Sequence, residues 1–285
     1  MPRIRARAPS GNLAGFEREV FASAGFSHAV FRKGHGPAVL VIAEIPGITP
    51  HLIGFAERMV AMGCTVILPD LFGTAGRDPF ALGRVGLALQ ALSSVARVCV
   101  SREFSLFALG QASPVVTWLR ALAAREHERC GGPGVGVVGM CLTGGFALAM
   151  ASDPHILAPV LSQPSLPVAL SERHRRSIDC SDAELEQVAA RCANEGYRVL
   201  GVRFKGDSLA PGQRFRFLKE RLGEGFISVE LPKNSGHPDS LLPSPHSVLT
   251  GDLIDDPGEP TRVALDQVLA FIRDRLIGAS IHAHA

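Results

Sequence analysis

Short runs of apolar, β-branched residues alternate along most of the chain with longer segments of helical periodicity. Residues 37–44 and 64–69 are runs of the first kind, each bounded by turn residues, and they predict buried strands. Between them, residues 51–62 carry apolar side chains at spacings of three and four until Gly63, which predicts an amphipathic helix ending at a glycine. A strand, a helix and a second strand in this order form a crossover between parallel neighbours of one sheet.

The same alternation continues through the rest of the chain. It predicts helices at residues 79–98, 114–129 and 262–276, and strands at residues 134–138, 156–161, 198–204 and 226–231. The apolar face predicted for the last helix consists of Val263, Leu265, Val268, Leu269 and Ile272. We therefore expect the α/β class, a mostly parallel sheet with helices on both faces.

A more polar stretch at residues 171–198 departs from this pattern. Ser181 stands three residues before Glu184 at the head of an apolar-periodic run, which is the start signal of a capped helix. We expect a small helical excursion there, at the rim of any site on the sheet. Because no internal repeat or low-complexity linker divides the chain, we expect a single domain over residues 1–285.

Composition narrows the class of protein without identifying it. Hydrophobic residues make up 46% and charged residues 20% of the 285 residues, which is enough apolar material for a sizeable core. The net charge of +2 comes from 29 basic and 27 acidic side chains spread along the chain, so no basic block can follow a phosphate backbone. We expect a small-molecule substrate, no nucleic acid, and a monomer or small homo-oligomer.

The chain shows no signal for a membrane. No run of about 18 apolar residues is free of charges and turn residues. Residues 1–10 are basic, but no apolar stretch follows them as it would in a secretory leader. We expect a cytoplasmic protein.

Six cysteines occur, and most of them are expected to be small core side chains. They are Cys64, Cys99, Cys130, Cys141, Cys180 and Cys192. Because they are far apart and form no C-x-x-C pair, we expect neither a zinc site nor a disulfide framework.

One cysteine stands where an apolar strand runs into a helix. Gly139 precedes Cys141 by two residues, and Thr143, Gly144 and Gly145 follow it. In a nucleophile elbow, strand and helix approach so closely that small residues are needed about two positions before and after the nucleophile. The fit is imperfect by one position, because Thr143 stands where glycine is expected. The pattern favours a nucleophilic cysteine, although the same glycines would also let a helix pack over an inert one.

A cysteine at this position has an electrostatic advantage. The free N–H groups and positive dipole end of the helix favour a thiolate. The backbone N–H of Leu142 is the natural donor to an oxyanion formed at Cys141.

The segment G-M-C-L-T-G-G, residues 139–145, resembles the nucleophile turn of the dienelactone hydrolases, G-x-C-x-G-G. Residues 41–47 (VIAEIPG) are similar to the family's early strand, and residues 64–73 (CTVILPDLFG) to its next strand and turn. The resemblance implies an α/β-hydrolase fold and cofactor-free hydrolysis of a carboxylic ester or lactone. It also implies that Glu44 interacts with the resting thiol and that the Ile45 N–H is a second oxyanion donor.

A thiol nucleophile needs a neighbouring base and a carboxylate that orients this base, and α/β-hydrolases carry them in the order nucleophile, acid, histidine. Asp207 follows the strand predicted at residues 198–204 and is similar to the aspartate of the family's turn, which a proline follows. Taken alone, Asp207 would also suit a turn or a helix cap.

Two histidines compete for the role of base. His237 lies in an S-G-H sequence that resembles the family's glycine-histidine pair. His246 follows a proline-rich loop, residues 238–245, and lies roughly two dozen residues before the centre of the last helix, the spacing that the resemblance implies. We predict His246 as the base and keep His237 as the alternative.

Two other functions stay open beside a Cys141, His246 and Asp207 hydrolase. A cysteine amidase of the glutaminase kind also has an elbow cysteine, but it pairs histidine with glutamate as H-x-E, which neither histidine matches. A scaffold that has lost catalysis and serves as a binding module is the other. The resemblance also implies an arginine that binds a substrate carboxylate, for which Arg77 is a candidate.

Overall fold

The computed structural model describes residues 11–73, 75–78, 92, 94, 103–240, 242 and 244–278. The strands of this part are β1 (Glu17–Ser23), β2 (Phe26–Gly34), β3 (Ala38–Ile42), β4 (Thr65–Pro69), β5 (Val135–Met140), β6 (Ile156–Ser162), β7 (Val199–Phe204) and β8 (Phe226–Leu231). They form one eight-stranded sheet in the order β1-β2-β4-β3-β5-β6-β7-β8. Strands β3 to β8 pair in parallel, and β1 and β2 form an antiparallel edge.

The helices described are α1 (Pro50–Ala61), α2 (Val115–Cys130), α3 (Gly144–Met150), α4 (Glu172–Arg175), α5 (Asp182–Asn194), α6 (Gly212–Leu222) and α7 (Pro260–Leu276). The helix that was predicted at residues 79–98 lies outside the described residues, except for Leu92 and Ser94. All the other predicted helices and strands are confirmed to within two residues at each end, and Gly63, at a φ of 94°, follows α1 as expected.

Four of the six parallel strands are fully buried because helices cover them. All residues of β3, β4, β5 and β7 are buried, which explains why these strands are apolar except at Thr65 and Arg203. One predicted core position is wrong: Val263 on α7 is 44% exposed, whereas Leu265, Val268 and Ile272 are buried. The capping box predicted at Ser181 is confirmed and opens α5.

Candidate active site

Cys141 begins the turn after β5, and its φ of 54° lies in the left-handed region that residues with a side chain rarely adopt. The turn is so tight that a Cβ at Gly139 would lie 2.2 Å from the carbonyl oxygen of Thr143. A Cβ at Gly144 would lie 2.6 Å from Cα of Pro164, so only glycine fits at either position. A strained residue on such a strand-to-helix turn is the geometry of a nucleophile elbow.

Thr143 fits the turn because its hydroxyl is fully used. Its Oγ1 accepts a hydrogen bond from the N–H of Met140 at 2.9 Å and lies 2.9 Å from the carbonyl oxygen of Ile42. The hydroxyl therefore links the turn that carries Cys141 to the end of β3. The departure from G-x-C-x-G is accommodated without an unpaired buried polar group.

Asp207 and His246 contact each other at the same edge of the sheet. Asp207 follows β7, His246 lies in the loop after β8, and Oδ2 of Asp207 is 2.7 Å from Nδ1 of His246. The other carboxylate oxygen accepts hydrogen bonds from the N–H groups of Leu209 at 2.9 Å and Ala210 at 3.2 Å. Because the carboxylate is held from both sides, it fixes one orientation of the imidazole.

The surrounding charges shift the ionisation of this pair. Burial lowers the pKa of His246, but its interactions with the neighbouring Cys141 and Asp207 side chains outweigh this effect and hold that pKa well above its usual range. Burial likewise raises the pKa of Asp207, and the hydrogen bond to His246 outweighs this effect, so the pKa lies below its ordinary value. Nε2 of His246 is buried and makes no hydrogen bond of good geometry with any described residue. Contacts to a nucleophile are often loose before substrate binds.

Glu44 is buried just beyond the end of β3 and fastens the histidine loop to the sheet. Its Oε2 accepts hydrogen bonds from the Ser247 hydroxyl at 2.9 Å and the Gln163 amide at 3.1 Å, and its Oε1 accepts one from the Thr250 hydroxyl. Burial raises the pKa of Glu44 even though His246 and these hydroxyls oppose the shift. None of the three hydrogen-bond partners is Cys141, the contact that the resemblance implies.

Asp252 also shapes the histidine loop and was not among the residues predicted from the sequence. Its Oδ2 accepts hydrogen bonds from the backbone N–H groups of His246 at 2.7 Å and Ser247 at 2.8 Å. No sequence pattern marks Thr250 or Gln163, because their contacts depend on the path of a loop. For Asp252, the only sequence signal is its position six residues after a candidate histidine.

His237 lies apart from this group. Its side chain is buried, its Nδ1 accepts a hydrogen bond from the N–H of Asp239 at 3.2 Å, and its backbone N–H donates to the carbonyl oxygen of Asp252 at 2.9 Å. Unlike His246, it does not line the cavity in front of Cys141. Its backbone helps to close the loop that presents His246.

A cavity of about 610 Å³ opens in front of Cys141. Most of its wall surface is apolar, and the wall includes every candidate site residue except Asp207, His237 and Arg77: Glu44, Ile45, Cys141, Leu142 and His246. Arg77 is exposed and lies outside the wall, whereas Arg175 of α4 is part of it. The polar excursion therefore reaches the rim of the cavity.

Neither a metal site nor a membrane-spanning helix is found in the part of the chain that the structure describes. In that part, no three histidine, cysteine, aspartate or glutamate side chains are grouped so that they could hold a metal ion. Among the same residues, no helix is long and apolar enough to cross a membrane.

The mostly parallel sheet, with Cys141 on a strained turn after β5 and a hydrogen-bonded aspartate and histidine on later loops, defines an α/β-hydrolase fold. The sequence model of the dienelactone hydrolase family matches residues 26–181, more than half of the chain. The chain therefore belongs to the dienelactone hydrolase family. The matched region contains Glu44 and Cys141 and ends before Asp207 and His246.

Solved structures agree on the fold. A Klebsiella pneumoniae protein named as a dienelactone hydrolase is 18% identical, with a TM-score of 0.53 over 90% of this chain and 97% of its own. A dienelactone hydrolase-like promiscuous phosphotriesterase from metagenomic libraries is 13% identical, with a TM-score of 0.54 over 90% and 96%. A Lactobacillus plantarum carboxylesterase is 10% identical, with a TM-score of 0.51 over 91% and 97%. None of the curated proteins matches the sequence.

Proposed function

We propose that this member of a hydrolase family cleaves carboxylic esters or lactones with Cys141 as the nucleophile, His246 as the base and Asp207 as the residue that orients the base. The observation that carries the proposal is the 2.7 Å contact between His246 and Asp207 beside a cysteine held at positive φ. A nucleophile, a base within reach and a carboxylate behind the base are the parts that covalent acyl transfer requires.

In the first half of the reaction, the Cys141 thiolate attacks the carbonyl carbon and forms a tetrahedral oxyanion. The backbone N–H groups of Leu142 and Ile45, residues of the same cavity wall, stabilise the negative oxygen. Collapse of the intermediate breaks the bond to the alcohol oxygen, and His246 donates a proton to that oxygen. The acyl group stays on sulfur as a thioester. When the substrate is a lactone, the ring opens and the alcohol remains attached to the acyl group.

In the second half, His246 removes a proton from water as the water attacks the thioester. The oxyanion forms in the same place, the carbon–sulfur bond breaks, and the acid leaves while the thiolate returns. Asp207 holds the imidazole in the tautomer that keeps Nε2 available and stabilises the imidazolium that forms. No cofactor takes part in either half.

Glu44 acts in this scheme as a positioning residue for the base. The hydroxyls of Ser247 and Thr250 donate hydrogen bonds to Glu44 and so connect the loop of His246 to the segment after β3. Ile45 is the next residue of this segment. A shift of this loop would displace the base from both Cys141 and Asp207.

The cysteines of the described residues are all free thiols, which suits a reducing compartment and supports action in the cytoplasm.

The decisive experiment is hydrolysis of p-nitrophenyl acetate by the protein and by Cys141→Ala. We expect the variant to lose the activity and to keep its melting temperature within a few degrees. Cys130→Ala is the matched control, because Cys130 is also half-buried and free but lies at the end of α2. If Cys141→Ala retained full activity the proposal would be wrong, and an inactive wild type would favour a binding module.

A further inference from the structure

Three exposed leucines surround the mouth of the cavity in front of Cys141. Leu170 is 70% exposed, Leu209 47% and Leu242 43%, and all three belong to the cavity wall. They come from separate segments, after β6, after β7 and after β8. Three of the eight large hydrophobic side chains that are exposed in the described residues therefore line one cavity, and exposed apolar side chains grouped in this way point to a contact surface.

The hydroxyl groups of the cavity wall are largely committed within the protein. Those of Ser247 and Thr250 donate to Glu44, that of Ser165 donates to the carbonyl oxygen of Gln163, and that of Thr49 accepts the N–H of Leu52 as a helix cap. These groups therefore offer few hydrogen bonds to a ligand, and most of the wall surface is apolar, although Arg175 also belongs to the wall.

We propose that the ester substrate carries an extended apolar chain, which leaves the cavity between Leu170, Leu209 and Leu242. The inference rests on the proposed ester hydrolysis at Cys141 and names its substrate class. The volume of about 610 Å³ lies in the range of pockets that take ligands much larger than an acetyl group, about 300–1,000 Å³. An apolar chain in this opening removes both its own surface and that of the leucines from water.

The test compares substrates that differ only in chain length. We expect kcat/KM to rise with chain length in one of two series. The first consists of p-nitrophenyl esters from acetate to octanoate, and the second of acetates of alcohols of the same lengths. Burying one methylene is worth about fourfold in kcat/KM, so the rise continues at about that step until the chain outgrows the cavity. The first series tests for an apolar chain on the acyl side of the cleaved bond, and the second tests for one on the alcohol side.

Variants of the rim connect this preference to the leucines. In the series that shows the rise, Leu170→Gln and Leu242→Gln are each expected to lower the ratio of kcat/KM for the longest chain to that for the shortest by about fivefold, since polar side chains there no longer bury the chain. Val263→Gln is the matched control, because Val263 is similarly exposed on α7 and lies outside the cavity wall. The control should leave the ratio unchanged.

The outcomes separate the substrate class from the proposed reaction. If activity depends on Cys141 but kcat/KM is flat or falls with length in both series, the apolar-chain proposal is wrong and the reaction stands. If no ester is cleaved through Cys141, the proposed function itself fails. A rise that appears only above the concentration at which the esters aggregate would also overturn the proposal, because the leucines would then bind a lipid-like surface.

Discussion

Nδ1 of His246 lies 2.7 Å from Oδ2 of Asp207, although 39 residues separate the two along the chain. The contact depends on two loops that start at neighbouring strands, β7 and β8. One loop is held by hydrogen bonds from the N–H groups of Leu209 and Ala210 to Asp207, and the other by a hydrogen bond from the backbone N–H of His246 to Asp252. The pair is therefore fixed from both sides before any substrate arrives.

This contact predicts that His246→Asn lowers kcat by at least a hundredfold, because loss of a general base costs about 10² to 10⁴ in rate. His237→Asn should cost less than about tenfold, since Nδ1 of His237 accepts a hydrogen bond from the N–H of Asp239 and His237 does not line the cavity. Steady-state hydrolysis of p-nitrophenyl acetate measures both. The two variants control for each other, as each removes a buried histidine from the same stretch of chain. An inactive His237→Asn protein beside an active His246→Asn protein would reverse the assignment.

We predict that one equivalent of iodoacetamide at neutral pH labels Cys141 ahead of the other cysteines. Cys64, Cys180 and Cys192 are buried, and burial raises the pKa of the Cys64 thiol to about 11 and that of Cys180 well above its usual range. These thiols are therefore both inaccessible and protonated.

Peptide mapping after partial labelling measures the order, and loss of esterase activity should follow the labelling of Cys141. Cys130 is the internal control among the described residues, because it is half-buried as Cys141 is. Activity that survives complete labelling of Cys141 would contradict a nucleophilic role.

Thr143→Val should lower the free energy of unfolding by about 1–3 kcal/mol. The valine methyl cannot accept the hydrogen bond from the buried N–H of Met140. A buried donor that loses its acceptor usually costs this much stability. Thr143→Ser keeps the hydroxyl and is the matched control, with a loss of less than about 1.5 kcal/mol for one methyl group. Urea denaturation measures both. Equal stabilities of the two variants would mean that the hydroxyl does not hold the turn.

The parallel strands were predictable from sequence, but the edge strands were not. Strands β3 and β5 are buried on both faces, so every residue must be apolar or small and the run stands out. In β1, exposed and partly buried residues mix, and the strand pairs only with β2 at the edge of the sheet. A short edge strand with few buried side chains leaves a weak pattern.

The site was predictable where a residue follows a strand directly. Glu44, Cys141 and Asp207 each come within three residues of a strand end, so parallel topology brings them to one edge. The two histidines lie on a long loop, and the local sequence does not determine the path of this loop. The S-G-H sequence of His237 gave no indication that its backbone N–H donates to the carbonyl oxygen of Asp252, a contact that depends on the path of the loop.

A buried carboxylate away from the site should make the stability of the protein depend on pH. Asp179 is 1% exposed, and its two oxygens accept hydrogen bonds from the backbone N–H and the hydroxyl of Ser113. Burial raises the pKa of Asp179 to about 7, with Glu184 adding to the shift while Ser113 and Arg214 oppose it. The folded protein therefore holds this proton at pH values where the unfolded chain has released it.

The sign follows from the raised pKa. The contribution of Asp179 to stability is fully present below the ordinary pKa of an aspartate, about 4, and is lost as pH rises through about 7. We predict that the free energy of unfolding of the wild type falls over this window relative to that of Asp179→Asn, by roughly 4 kcal/mol at most. The asparagine imitates the protonated acid, because it can still accept the Ser113 N–H while its amide donates to the hydroxyl.

Urea denaturation at pH values from 4.5 to 7.5 tests this dependence, with Asp274→Asn, a substitution of an exposed aspartate on α7, as the control. The control should follow the wild-type curve at every pH. The Asp179→Asn curve should instead gain on the wild type steadily from pH 4.5 and stop gaining above about 7, where both proteins carry a fixed charge at this position. Parallel curves for all three proteins would show that Asp179 is already ionised throughout this range, and that Ser113 and Arg214 outweigh the effect of burial.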